Sequence, residues 1–157
     1  MEVFISTTRD PLRNLMRQLV CEFWREVGVI PTIGYKTYPQ RWAWAEASAR
    51  GDIYCLADDD CLPNPHLDVG QVLRFFEEDD WSILALNNLV EYGHQRTQIK
   101  ESHAVGGIRF IRRGRLTFPS NFTGDDSEVI PNGKVGYLDV GMIHLGLWHS
   151  QWRQRGN

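Results

Sequence analysis

Positive charge is scarce in this chain. Its 157 residues carry 17 Lys and Arg against 20 Asp and Glu, a formal net charge of −3. A nucleic-acid backbone is held by clustered cations, and here the basic residues are scattered, so nucleic acid is not the expected partner. Cysteine is scarce too. Cys21, Cys55 and Cys61 form no CxxC pair and have no histidine at zinc spacing. That excludes a disulfide framework and a zinc finger, and it leaves buried thiols in a reducing compartment. Long apolar runs are absent: nothing approaches the roughly 18 residues of a membrane span. The first residues lack a signal-peptide pattern. Together these absences point to a soluble, cytoplasmic protein with a single domain over 1–157.

What is present is ordinary for a globular protein, 42% hydrophobic and 24% charged, with six Trp and seven Phe for an aromatic core or a stacking surface. Val3-Phe4-Ile5 reads as a first strand. Asp10 is a good N-cap and Pro11 a good first helical residue. Leu12, Leu15, Met16, Leu19, Val20, Phe23, Trp24 and Val27 then keep helical spacing, and Gly28 ends the run. This stripe is expected to be core. Val29 to Gly34 reads as a second strand, pushed to a sheet edge by Pro31, followed by a loop over 36–40. Arg41 to Arg50 reads as a helix and Ile53 to Ala57 as a strand buried on both faces. The order β-α-β-α-β implies a parallel sheet with right-handed crossovers. A helix marked by Leu67, Val69, Val72, Leu73 and Phe76 follows. Its acidic end, 77–80, opposes the helix dipole and is expected to fray. Strands are expected at 81–86, 104–111 and 136–140, with 87–102 a loop. The fold class is therefore α/β, with a mixed, mostly parallel sheet flanked by helices.

The strand 53–57 ends in Asp58-Asp59-Asp60. Each pair of adjacent anions costs roughly 1 kcal/mol in water and more against a protein wall. Either a cation neutralises them or the triplet is a solvated, capping turn. At the carboxyl end of a parallel strand, where open α/β sheets bind ligands, the cation reading is a divalent metal. In extended geometry Asp58 and Asp60 point to one side, roughly 6.6 Å apart. A second acidic cluster, Gly124-Asp125-Asp126-Ser127-Glu128, opens a short helix later in the chain. His144 lies between Ile143 and Leu145 at the end of the late strand. Asp and His are ligands suited to Mn²⁺ or Mg²⁺. The paired glycines Gly106-Gly107 suggest a bulge or a close backbone approach.

This arrangement resembles the GT-A glycosyltransferases, in particular the inverting family 2. Ala49 to Asp60 resembles that family's A-x-G-D-hydrophobic-DDD run, with Asp58-Asp59-Asp60 as its D-x-D motif. Gly124 to Glu128 is similar to its G-E-D-x-E block, with Asp125 in place of Glu. Val140 to Gly146 is similar to the late strand that ends in a metal-binding histidine. The resemblance covers most of the chain. It implies a GT-A, Rossmann-like fold of minimal size and transfer of a sugar from a UDP- or GDP-linked donor to an acceptor hydroxyl, with inversion.

The resemblance also implies residue roles. Asp58 contacts the ribose. Asp60, with Asp59 and His144, binds Mn²⁺ or Mg²⁺. Asp126 is the general base. Thr7, Arg9 and Asp10 contact the base and ribose, and Gly106 and Gly107 approach the donor sugar. Each residue has a plainer reading: His144 as a core histidine, Asp126 as a cap, Arg9 as a surface charge, Trp148 and Trp152 as packing. The chain departs from the pattern in three places. Gly34-Tyr35-Lys36 offers no acid to read the base, Ala43 stands where the family has Asn, and little sequence follows His144. The acceptor side is then open, supplied by a partner subunit as in a homo-oligomer, or missing.

Two other functions compete. One is a non-catalytic GT-A-like module that binds a nucleotide or glycan. The other is a nucleotidyltransferase, against which the absence of glycine between Ser6 and Asp10 counts.

Overall fold

The computed structural model describes residues 1–87, 100–101, 107–124 and 126–145. In chain order the elements are β1 (Glu2–Thr7), α1 (Pro11–Glu26), β2 (Thr32–Tyr35), α2 (Tyr38–Ser48), β3 (Ile53–Asp58), β4 (Cys61–Pro63) and α3 (Val69–Glu78). There follow β5 (Trp81–Asn87), β6 (Lys100–Glu101), β7 (Ile108–Arg112), β8 (Leu116–Thr117), β9 (Ile130–Pro131) and β10 (Lys134–His144).

The main sheet has the order β2-β1-β3-β7-β5-β10-β4, and β6 also pairs with β10. β1 pairs in parallel with β2 and β3, and β5 in parallel with β10. β7 runs against β3 and β5, and β4 and β6 run against β10. Most strands thus share one direction, as expected, and β2 sits at an edge. Among the described residues no helix is long and apolar enough to cross a membrane.

The strands alternate between two apolar layers, the period-2 pattern of a sheet covered on both sides. Val3, Ile5, Cys55, Ala57, Ile108 and Phe110 face one layer with Val20 and Trp24 of α1 and Val72 and Phe76 of α3. Phe4, Tyr54, Leu56, Ile83 and Ile111 face the other with Trp42, Ala45 and Ala49. All three cysteines are buried. The Cys55 thiol is pushed up by burial, so it stays protonated and inert.

α1 begins as its sequence dictates. The Asp10 carboxylate accepts from Leu12 N and Arg13 N, at 2.9 and 3.0 Å. Gly28, at φ +81°, closes it in the left-handed conformation that glycine adopts without strain. The apolar stripe is not all core, however. Met16, Val20, Cys21 and Trp24 are buried, whereas Leu12, Leu15 and Leu19 are exposed. Among the described residues they join neither apolar layer.

Three other expectations need correction. α2 starts at Tyr38, inside the expected loop, because Gln40 reaches back to accept the Thr37 N–H at 3.3 Å. The acidic end of α3 is tied down rather than frayed. Arg112 donates to the carbonyls of Phe76, Asp79 and Trp81, Lys134 pairs with Asp79 at 2.7 Å, and Arg115 pairs with Asp80 at 2.8 Å. The chain also turns at Asp59-Asp60 instead of remaining extended, since β3 ends at Asp58 and β4 begins at Cys61. Asp58 and Asp60 therefore do not share a face.

Gly107 sits against this turn. Its carbonyl accepts the Asp58 N–H at 2.8 Å. A Cβ there would fall onto Cys61 Sγ and lie 3.1 Å from Met142 Cε. Cys61 is short and buried and cannot swing away. Gly107→Ala is expected to cost about 1–3 kcal/mol by overpacking. Urea unfolding of the variant would show it as a lower midpoint at unchanged slope.

Candidate functional site

The acidic turn lies at the carboxyl end of β3, between α1 on one side and α2 on the other. Alternation along β3 sends Asp58 to the α2 layer, the side on which Leu56 lies. Arg109 of β7 has the same parity as Ile111 and reaches that layer too. Arg41 comes from the first turns of α2, next to Trp42.

These residues close a ring with Asp126. Arg41 donates to Asp58 Oδ1 at 2.6 Å and to Asp126 Oδ1 at 2.7 Å. Arg109 donates to Asp58 Oδ1 at 3.1 Å and also to Asp126 Oδ2. The side chains of Arg109 and Arg41 are 1% and 4% exposed, and those of Asp58 and Asp126 are 14% and 23%. The Arg109 guanidinium lies 5.1 Å from the Trp42 ring centroid, a cation–π contact. Burial opposes the charge of Arg109, but Asp58 and Asp126 outweigh it and raise its pKa.

The other two carboxylates face the α1 layer. Asp59 accepts from Thr7 Oγ1 and from Arg13, each at 2.7 Å. Burial pushes the Asp59 carboxyl up more than Thr7 and Arg13 pull it down. Asp60 Oδ2 lies 2.7 Å from Arg13 Nη1 and 3.2 Å from His144 Nε2. Burial pushes the Asp60 carboxyl up too, but here His144 and Arg13 win and the net direction is down. The hydrogen bond to Asp60 raises the pKa of His144 against the effect of burial.

His144 reaches Asp60 because β4 and β10 zip together. His144 pairs with Cys61, Ile143 with Leu62 and Met142 with Pro63, and Leu145 N donates to Asp60 O at 2.7 Å. A register shift in β10 between Leu138 and Gly141, where the strand leaves β5, precedes this zipper.

Asp60, Cys61 and His144 place one donor atom each within 4.8 Å of one another. The Cys61 thiol is pushed well up by burial and by Asp58 and Asp60, so it stays protonated. It donates toward Asp60 Oδ1 at 3.7 Å. That leaves one carboxylate and one imidazole as donors, a set that suits Mn²⁺ or Mg²⁺ and leaves coordination positions for phosphate oxygens. The residues present fit such an ion. Asp59 is not in this donor group; its oxygens accept from Thr7 and Arg13.

The fold thus brings together Thr7, Asp58, Asp59, Asp60, Gly107, Asp126 and His144 from distant parts of the chain. Asp10 serves as the cap of α1. Arg9 is exposed. Gly106 and Asp125 lie outside the described residues, as do Trp148 and Trp152. Sequence reasoning missed Arg13, Arg41 and Arg109. The signal for Arg109 was a lone cation at an inward position of Ile108-Arg109-Phe110-Ile111. Each carboxylate of the triplet lies against at least one of these three arginines.

No family model and no curated protein matches the sequence. Solved structures match in fold. A197 from STIV has a TM-score of 0.53 at 14% identity, over 90% of this chain and 83% of that chain. S. aureus TarS 1-349 has a TM-score of 0.51 at 11% identity, over 90% of this chain and 59% of that one. This chain therefore spans less than two thirds of that TarS chain. A glycosyltransferase involved in the glycosylation of the major capsid of PBCV-1 gives 0.44 at 11% identity, over 72% and 61%, a TM-score too low to bear on the argument. At these identities the likeness is one of fold, a mixed α/β fold with a mostly parallel central sheet, consistent with a GT-A-like fold.

Proposed function

We propose that this protein is a metal-dependent glycosyltransferase of the GT-A type, using a UDP- or GDP-linked sugar and inverting the anomeric centre. The observation that carries the reading is the convergence of Asp58, Asp60, Asp126 and His144 on the carboxyl end of β3. The mixed α/β fold, like that of S. aureus TarS 1-349, suits this reading.

Asp60 and His144 would hold Mn²⁺ or Mg²⁺, which when bound neutralises the charge that collects on a leaving diphosphate. Asp58, at the edge of the site, orients the ribose. Asp126 takes the proton of the acceptor hydroxyl. The hydroxyl oxygen then bonds to the anomeric carbon while the bond to the diphosphate breaks on the opposite face. Both Asp126 oxygens already accept from an arginine, but each keeps a second lone pair, and the side chain is partly open to solvent. Thr7 and Arg13 hold Asp59 and thereby fix the turn.

One observation favours a second reading. Every carboxylate of the turn has an arginine partner, as suits a non-catalytic module that binds a nucleotide or a glycan. A panel of UDP- and GDP-sugars with Mn²⁺ separates the two. The glycosyltransferase releases UDP or GDP slowly from at least one sugar even without an acceptor. Binding without release from any of them would favour the module. No binding at all would remove the glycosyltransferase and the nucleotide-binding module.

A further inference from the structure

Arg41 and Arg109 are locked into the ring with Asp58 and Asp126, at 4% and 1% exposure. Arg13 differs. It projects from the first turn of α1, its side chain is 38% exposed, and its Nη1 bridges Asp59 Oδ1 and Asp60 Oδ2, at 2.7 Å each. Asp60 Oδ2 is the same oxygen that faces His144 Nε2. A carboxylate oxygen offers two lone pairs, and Arg13 and His144 face that one oxygen together. A divalent cation shared by Asp60 and His144 would meet the guanidinium on its own ligand, and like charges against one oxygen repel strongly in a half-buried site.

We propose that Arg13 is a tethered cation that holds the Asp60–His144 site closed in the metal-free protein and gives way when a divalent ion binds. This rests on the metal-binding reading above and adds to it. The charge balance is consistent with the exchange. Four carboxylates (Asp58, Asp59, Asp60, Asp126) face three guanidiniums and His144, so the site is already close to neutral. Adding an ion without releasing a cation would leave it positive. Arg13 is the exposed member of the arginine set and stands on a flexible stem, so it is the one that leaves. Once released, it presents a planar cation at the open side of the site, suited to the anionic oxygens of a nucleoside diphosphate.

The test is a Mn²⁺ titration without nucleotide, following free Mn²⁺ by electron paramagnetic resonance, on wild type, Arg13→Gln and Arg13→Lys. Losing a competing charge-assisted contact predicts that Arg13→Gln binds Mn²⁺ about tenfold tighter than wild type. Lysine keeps the charge as a point and loses the fork, so Arg13→Lys is expected between the two. If Arg13→Gln does not fold without metal, Arg13→Lys carries the comparison. Wild-type binding that is unchanged or weaker in the variants overturns the competition and leaves the metal site standing. Absence of Mn²⁺ binding in all three proteins overturns the metal site and the competition together. Binding by the variants but not by wild type supports the competition in its strongest form.

Discussion

Arg109→Met is expected to destabilise the protein by about 3–5 kcal/mol. Arg109 is 1% exposed, and it donates to both Asp58 and Asp126. Methionine keeps the stem volume and the contact with Trp42, but it leaves two half-buried carboxylates to share Arg41. Truncating one member of a buried charge network costs more than the network contributes net, because the partners remain desolvated. For a chain of this size the loss corresponds to a melting temperature lower by about 6–20 °C. Adding Asp126→Leu to Arg109→Met removes one stranded anion and should recover part of the loss. A single-variant loss below about 1 kcal/mol would mean that the ring is solvated and idle, and that Asp58 and Asp126 are placed by the backbone alone.

The second large effect is on chemistry. Asp126→Asn is expected to reduce sugar transfer, or slow hydrolysis of the donor, by about 10²–10⁴-fold, while nucleoside diphosphate binding persists. Asparagine is nearly isosteric and still offers Arg41 an oxygen, but it cannot take a proton. Its amide also points a donor at Arg109, so some stability is lost, and a melting curve must accompany the kinetics. The diagnostic result is a fall in kcat with KM little changed, the pattern of an interaction used in the transition state. A proportional fall in binding would instead make Asp126 a structural partner of the two arginines.

The sequence made the local features legible. Asp10, Pro11 and Gly28 bracket α1, and the buried run of β3 ends at the acidic triplet, because caps and buried strands are written in adjacent residues. The two-sided burial of β3 followed from its unbroken apolar run. Features that depend on distant partners were not legible. β4 is three residues long and exists because β10 returns to pair with it, and that pairing is what brings His144 to Asp60. Among the described residues β8 and β9 pair with each other and with no other strand. The turn at Asp59-Asp60, which separates Asp58 from Asp60, is set by the same zipper.

The arginines were the largest omission at the site. Arg41, at the head of α2, and Arg109, inside an apolar strand, look like surface cations until both faces of the sheet are seen to be covered. Three adjacent carboxylates do require cations, as electrostatics demands, but the identity of those cations depended on which helices pack over the strand end. Among the described residues, Asp60, Cys61 and His144 form the group whose donor atoms lie close enough together to share an ion.

In the function proposed above, Asp60 and His144 hold a nucleoside diphosphate through a divalent ion. The most direct measurement is calorimetric titration of UDP and GDP into the protein, with Mn²⁺ and with a chelator, for wild type and Asp60→Ala. The expected result is binding of one of them with Mn²⁺, marked weakening in chelator, and none in Asp60→Ala. Failure of wild type to bind either nucleotide with Mn²⁺, or equal binding by Asp60→Ala, would contradict it.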